Sequence, residues 1–121
     1  MKNGLPRETI TLDASGKSLG RLATETARFL QGKHAVTWSP NIDAGARVVI
    51  QHLRKAKFTG SKMTGKIYYR HTNYPGNMKT ATLKEKWEKR PGNVFHDVVS
   101  RMLPKNKLRK EMLKRLTKKC D

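Results

Sequence analysis

The sequence predicts a single α/β domain in which strands and one helix form the first half and basic helices form the second. Three observations support this fold class. A short β-rich run precedes a segment whose apolar residues have helical spacing, and a second β-rich run follows that segment. After residue 82, apolar residues recur at helical spacing. We expect one domain over residues 1–121, with an N-terminal arm at 1–8, an α/β core at 9–103, and a basic helix with a short tail at 104–121.

The first elements follow from local patterns. Residues 9–13 (TITLD) alternate between apolar and polar side chains, which is typical of a strand. Ser18 is then expected to cap a helix that ends at Gly32, because the apolar residues between them repeat every three to four positions. Residues 47–53 contain three consecutive β-branched residues, which predicts a short buried strand.

Two further strands and a turn are predicted in the middle of the chain. Residues 57–59 are expected to form a strand, and residues 67–71 (IYYRH) another. Residues 72–81 have turn chemistry, with Pro75 and Gly76 at the centre.

The last third of the chain predicts three helices. Thr82 can cap a short helix that runs through Arg90, where a Pro-Gly pair breaks it. Asn93 can cap a second helix that stops at Pro104. A third, basic helix is expected over about 107–116, because its leucines and methionine form an apolar stripe.

Charge is the dominant feature of the composition. The chain has 27 Lys and Arg against 9 Asp and Glu, a net charge of +18. Residues 1–50 hold seven of these cations and four of the acids, so most of the excess lies in residues 51–121. Such self-repulsion opposes folding unless a polyanion relieves it. Nucleic acid is the expected partner, and a basic membrane-surface protein should show an amphipathic helix with Trp or Phe opposite its cations.

Several classes of protein are not expected from the composition. Cys120 is the only cysteine, so we expect neither an intramolecular disulfide nor a thiolate metal site. Residues 1–10 have no apolar segment typical of a secretory signal, and no apolar run reaches membrane-spanning length. We therefore expect a cytoplasmic protein without cofactor, metal, membrane contact or small-molecule substrate.

The segment Gly16-Lys17-Ser18 before the first helix is reminiscent of a nucleotide phosphate loop. That motif requires another glycine five residues before Gly16, and Thr11 occupies this position. A basic helix start can still hold a phosphate of RNA, flanked here by Lys17 and Arg21. The alternative is a capped helix start with solvated charges.

Residues 62–71 (KMTGKIYYRH) mix cations with two tyrosines. Tyrosines can stack on unpaired bases while neighbouring cations neutralise phosphates. Because strand side chains alternate, we expect one of Tyr68 and Tyr69 to be buried and the other exposed.

No catalytic or metal-binding constellation emerges from the remaining polar residues. The four histidines lack ligand spacing, although His34 and His71 lie beside cations and are candidates for RNA contact. Residues 101–119 hold nine cations and one acid, and like charges four residues apart destabilise an isolated helix. Neutralisation by RNA would remove that penalty.

Three motifs in this order resemble the bacterial large-subunit ribosomal protein thirteen family: residues 13–25 (DASGKSLGRLATE), 66–72 (KIYYRHT) and 101–106 (RMLPKN). The resemblance covers most of residues 10–116. It implies a three-layer α/β/α domain around a small, mostly parallel four-stranded sheet. It also implies binding to large-subunit (23S-type) ribosomal RNA beside neighbouring ribosomal proteins, one copy per ribosome, and a role early in subunit assembly. Family members often extend further beyond the position of Leu116, and an organellar ribosome is left open.

From the residues and the resemblance together, the expected RNA-binding residues are Lys17, Arg21, Lys33, His34, Lys62, Lys66, Tyr69, Arg70, His71, Arg101, Lys105, Lys107, Arg109, Lys114 and Arg115. Two alternatives from other classes stay open at this point. One is a nucleotide-hydrolysing enzyme, against which Thr11 argues. The other is a regulator that binds messenger RNA outside the ribosome through the same basic surface.

Overall fold

The computed structural model describes residues 7–36, 38–58 and 65–119. The elements of the described residues are, in chain order, β1 (Thr9–Asp13), α1 (Leu19–Gln31), β2 (Arg47–Gln51), a 3-10 turn (Leu53–Lys55), β3 (Ile67–His71), β4 (Met78–Thr82), α2 (Leu83–Lys89), α3 (Pro91–Met102), α4 (Leu108–Lys114) and β5 (Leu116–Lys118). The mixed α/β class predicted from the sequence is confirmed. None of the described helices is long and apolar enough to cross a membrane.

The main sheet is parallel, with β2 between β1 and β5. Val48 of β2 lies opposite Ile10 of β1 and Leu116 of β5, and this face of the sheet belongs to the hydrophobic core. The neighbouring positions Thr11 and Thr117 are exposed. Burial therefore alternates along the strands, with the side chains of one face in the hydrophobic core.

The strand content differs from the expectation in two ways. The parallel sheet of the described residues has three strands rather than the expected four, and the expected three-layer arrangement stays a prediction. The expected strand at 57–59 is reduced to an isolated bridge between Lys57 and Ser18, and Thr59 lies outside the described residues. β3 and β4 pair with each other as an antiparallel hairpin.

α1 forms where the apolar spacing predicts it. Leu22 and Leu30 are fully buried on its inner face. Ser18 is the N-cap, although its side chain makes no capping hydrogen bond. Gly32 ends the helix with φ 83°, a left-handed conformation that glycine adopts without a Cβ clash.

The C-terminal end of α1 is held by a buried ion pair that we call the Arg115 anchor, formed by Arg115, Asp43 and the carbonyl of Leu30. Arg115 Nη1 lies 2.7 Å from Asp43 Oδ2, and Arg115 Nη2 donates to the Leu30 carbonyl at 2.8 Å. The two side chains are only 9% and 3% exposed. Gly45 lies so close that a Cβ there would overlap the Leu30 carbonyl oxygen. The anchor therefore joins α1, the loop before β2 and the segment that leads to β5.

The turn after β3 is shorter than predicted, and the next helices begin at slightly different positions. Residues 78–81, expected within the turn, form β4 together with Thr82. Thr82 caps α2 as predicted, since its hydroxyl accepts from the Glu85 amide at 3.3 Å. Pro91 begins α3, which starts two residues before the expected cap Asn93. Proline suits the first turn of a helix because the amide it lacks would have no intrahelical partner there.

The C-terminal segment contributes two side chains to the hydrophobic core. α4 ends at Lys114. Leu116, which was expected to be the last residue of this helix, is instead the first residue of β5. Met112 and Leu116 are both buried in the hydrophobic core. Pairing of β5 with β2 therefore overrides the helical apolar stripe of this segment.

Candidate nucleic-acid interface

The carboxyl ends of the parallel strands carry a first group of cations, the carboxyl-end cluster, which consists of Lys17, Arg54, Lys55, Lys57 and Lys119. The Gly16 amide donates to the Lys55 carbonyl at 3.1 Å, and the Lys57 amide donates to the Lys17 carbonyl at 2.8 Å. The Lys119 amide donates to the carbonyl of Ile50 at the end of β2. All five side chains are exposed. In open α/β sheets, ligands bind at this edge.

Lys17 and Arg21 lie at the N-terminal end of α1, as expected. The Lys17 ammonium is 3.9 Å from Glu25 Oε2, and both side chains are about half exposed. Such surface ion pairs contribute little, so a phosphate can displace the carboxylate. The Leu19 amide at the helix start already donates to the Lys57 carbonyl at 3.0 Å. The Leu19 amide is therefore already engaged within the fold, and the side chains of Lys17 and Arg21 are exposed to a phosphate here.

Asp13 is an acid at the edge of this cluster, and its role is local. Its Oδ1 accepts from the Ser15 amide at 3.0 Å and lies 3.2 Å from His52 Nδ1. These hydrogen bonds, the one from the Ser15 amide above all, lower the pKa of the Asp13 carboxyl below its ordinary value. A charged Asp13 thus orders the turn that presents Lys17.

Lys33 and His34 follow the C-terminal end of α1 and differ in accessibility. Lys33 is exposed, with its ammonium 5.4 Å from the centre of the Trp38 ring. His34 is half-buried, edge-on to Phe29, and its Nε2 lies 3.6 Å from Glu8 Oε2. The histidine is thus partly engaged within the fold, whereas Lys33 is the accessible cation at this end.

The β3–β4 hairpin has two faces of different character. Tyr68, Arg70 and Lys79 share one face, because Arg70 lies directly opposite Lys79. Tyr68 is half-buried beneath the ammonium of Lys86, 4.2 Å from its ring centre. Tyr69 lies on the other face and is 65% exposed. The expectation of one buried and one exposed tyrosine holds in part, because Tyr69 is exposed and Tyr68 is half-buried.

The cationic face of the hairpin is electrostatically unfavourable in isolation. Like charges directly opposite each other on paired strands repel, as Arg70 and Lys79 do. Lys66 and Lys86 lie over the same tyrosine ring, at 5.3 and 4.2 Å. Lys66 and Arg70 were predicted from the sequence, and both are exposed. Lys62, also predicted, lies outside the described residues.

The expected C-terminal cations separate into surface and buried groups. Arg101, Lys105 and Lys107 are exposed. Arg109 is half-buried, and Lys114 is exposed with its ammonium 3.4 Å from Glu111. Arg115 is different, because its guanidinium is buried in the Arg115 anchor. The structure therefore gives Arg115 a structural role, and its expected RNA contact stays a prediction.

Sequence reasoning did not single out two sets of cations. One is the segment 54–57 of the carboxyl-end cluster. The other lines a cavity of about 370 Å³ at the junction of α2 and α3, where Lys86, Lys89 and Arg90 lie beside Asp97. A signal was present for segment 54–57, since residues 44–84 contain no Asp or Glu. Among the described residues, no group of three or more His, Cys, Asp or Glu side chains is placed to hold a metal ion.

Comparison with known proteins gives a consistent family match. The model of the family described as "Ribosomal protein L13" matches residues 7–118. The large ribosomal subunit protein uL13 of Syntrophotalea carbinolica is 44% identical over 115 residues, which cover 95% of this chain and 81% of the relative. The protein of the same name from Helicobacter hepaticus is 47% identical over 115 residues, with the same coverage. That of Thermotoga petrophila is 44% identical over 110 residues, covering 91% and 74%.

Proposed function

This chain belongs to the ribosomal protein L13 family, and from that premise we propose that it binds large-subunit ribosomal RNA through its exposed Lys and Arg side chains and supports early assembly of the subunit. The resemblance drawn from the sequence motifs is thereby confirmed. The family consists of ribosomal proteins rather than enzymes. No observation favours the alternative of a regulator that binds messenger RNA outside the ribosome.

The observation that carries the proposal is the distribution of charge. The net charge of +18 is concentrated after residue 50, and the exposed cations of the hairpin, of the 101–107 segment and of the carboxyl-end cluster apart from Lys17 belong to that part. Lys and Arg at this density fit the phosphates of RNA, and binding releases the counterions condensed on the RNA. Most contacts are therefore to phosphate and ribose.

The fold gives this charge a geometry suited to assembly. Lys17 and Lys33 flank opposite ends of α1, whose thirteen residues span about 20 Å. The Arg115 anchor fixes α4 beside the C-terminal end of that helix. Cations held rigidly at separated points bind phosphates of separate RNA segments and fix their mutual position. In this proposal the protein acts in the cytoplasmic ribosome at one copy per large subunit, beside other ribosomal proteins.

The salt dependence of RNA binding tests the proposal. Filter binding of the full chain to large-subunit ribosomal RNA is expected to weaken by about a thousandfold or more between 50 and 200 mM salt, as for six or more phosphate contacts. Small-subunit ribosomal RNA serves as the matched control and should bind more weakly at each salt concentration. A nearly flat salt dependence, or equal affinity for both RNAs, would contradict the proposal.

A further inference from the structure

The side of the hairpin opposite its cations presents an exposed apolar surface, which we call the Tyr69 face. It consists of Ile67, Tyr69 and His71 of β3 with Met78 and Thr80 of β4, because Tyr69 pairs with Thr80 and His71 with Met78. Ile67, Tyr69 and Met78 are 45%, 65% and 52% exposed. Large apolar side chains this accessible on neighbouring positions form a contact surface rather than part of the core.

The charges around this face favour RNA as its occupant over a protein. No Asp or Glu occurs from residue 44 to residue 84, so the whole hairpin lacks acids. Arg70 and Lys79 project from the opposite face of the same two strands. A ligand that wraps the hairpin thus meets the exposed Tyr69 ring on one face and cations on the other. Nucleic acid combines flat apolar bases with a regularly charged backbone and matches both features.

The same geometry favours an unpaired base over a duplex. In a base-paired RNA helix the flat faces of the bases are covered by their neighbours, so a tyrosine ring reaches only grooves and backbone. A base in a loop or bulge exposes its face and can stack on an aromatic ring. Tyr69 is accessible for such stacking, whereas the Tyr68 ring is already covered by Lys86.

We propose that the Tyr69 face stacks an unpaired base of large-subunit ribosomal RNA while the cations on the other side of the hairpin bind the adjoining phosphates. This inference rests on the proposed function and deepens it. It assigns base contact to Tyr69 and backbone contact to Arg70 and Lys79. Sequence preference at this point then comes from stacking on a loop nucleotide, without reading of base pairs.

The test uses the full chain and distinguishes the contribution of base stacking to RNA affinity from that of phosphate contacts. In filter binding to large-subunit ribosomal RNA, Tyr69→Ala is expected to weaken affinity about tenfold at fixed salt, while Tyr69→Phe stays within about threefold because the ring is retained. The slope of affinity against salt should be the same for both variants as for the unchanged chain, since no phosphate contact is lost. Tyr74→Ala, which removes an exposed tyrosine of the turn, is the matched control and should leave affinity unchanged. Equal thermal unfolding of the variants excludes a folding effect.

Several results would contradict the stacking inference, and they indicate different causes. Unchanged affinity of Tyr69→Ala, a changed salt slope, or an equal loss in Tyr74→Ala would rule out base stacking at this face. If Tyr69→Ala bound RNA normally but failed to enter reconstituted large subunits, the face would dock on a neighbouring protein. Failure of the unchanged chain to bind ribosomal RNA would instead contradict the proposed function itself, and the stacking inference with it.

Discussion

Replacing Arg115 with methionine is expected to lower the free energy of unfolding by about 3–5 kcal/mol, the usual cost of removing one partner of a buried ion pair. The substitution leaves the Asp43 carboxylate buried without its 2.7 Å partner, and the Leu30 carbonyl loses a hydrogen bond at the end of α1. Arg7, whose Nη2 lies 3.8 Å from the same Asp43 oxygen, offsets part of the loss. Urea unfolding followed by circular dichroism measures the change.

The neighbouring lysine provides the control for this prediction. Lys114→Met removes an exposed cation from the end of α4, next to Arg115, and should change the unfolding free energy by no more than about 0.5 kcal/mol. The double variant Asp43→Leu/Arg115→Met should recover part of the stability lost in Arg115→Met, because no buried carboxylate is left without its partner. A loss below about 1 kcal/mol for Arg115→Met would show that the anchor is not structural.

Reversing the charges of Arg101 and Lys105 together is expected to weaken binding to ribosomal RNA roughly a hundredfold near 0.1 M salt, since two phosphate contacts and their released counterions are lost. The salt slope should become shallower by about 1.8 for two contacts on duplex RNA. Both side chains are exposed, so the fold should remain intact. Filter binding across a salt series gives both quantities.

A second double variant with the same net charge distinguishes the loss of local phosphate contacts from the change in net charge. Arg28→Glu with Arg47→Glu changes the total charge by the same amount, and Arg28 occupies the last turn of its helix as Arg101 does. Neither Arg28 nor Arg47 is among the proposed contacts. The affinity of the Arg28→Glu/Arg47→Glu variant for ribosomal RNA should therefore fall clearly less than that of the Arg101→Glu/Lys105→Glu variant. Equal losses in the two variants would mean that the C-terminal cations act only through bulk charge.

Local patterns were sufficient to predict the elements whose burial follows their own periodicity. β1, α1 and β3 lie where the sequence predicts them, and Thr82 caps its helix as expected. The alternation of Tyr68 and Tyr69 was also predictable, because side-chain direction in a strand depends only on position.

Features that depend on distant partners were not predictable in this way. Arg115 looks like any other cation of a basic run, and its partner Asp43 lies 72 residues earlier in the chain. Leu116 continues a helical apolar stripe, yet pairing with Val48 of β2 makes it part of a strand. The cations of segment 54–57 gain their position only when backbone hydrogen bonds bring that segment beside Lys17.

The most direct test of a role in the large ribosomal subunit is sedimentation of the full chain from cells that express it with an affinity tag. In a sucrose gradient, the protein is expected to travel with the large subunit and with whole ribosomes, at one copy per large subunit. Recovery only at the top of the gradient, or with the small subunit, would contradict that role.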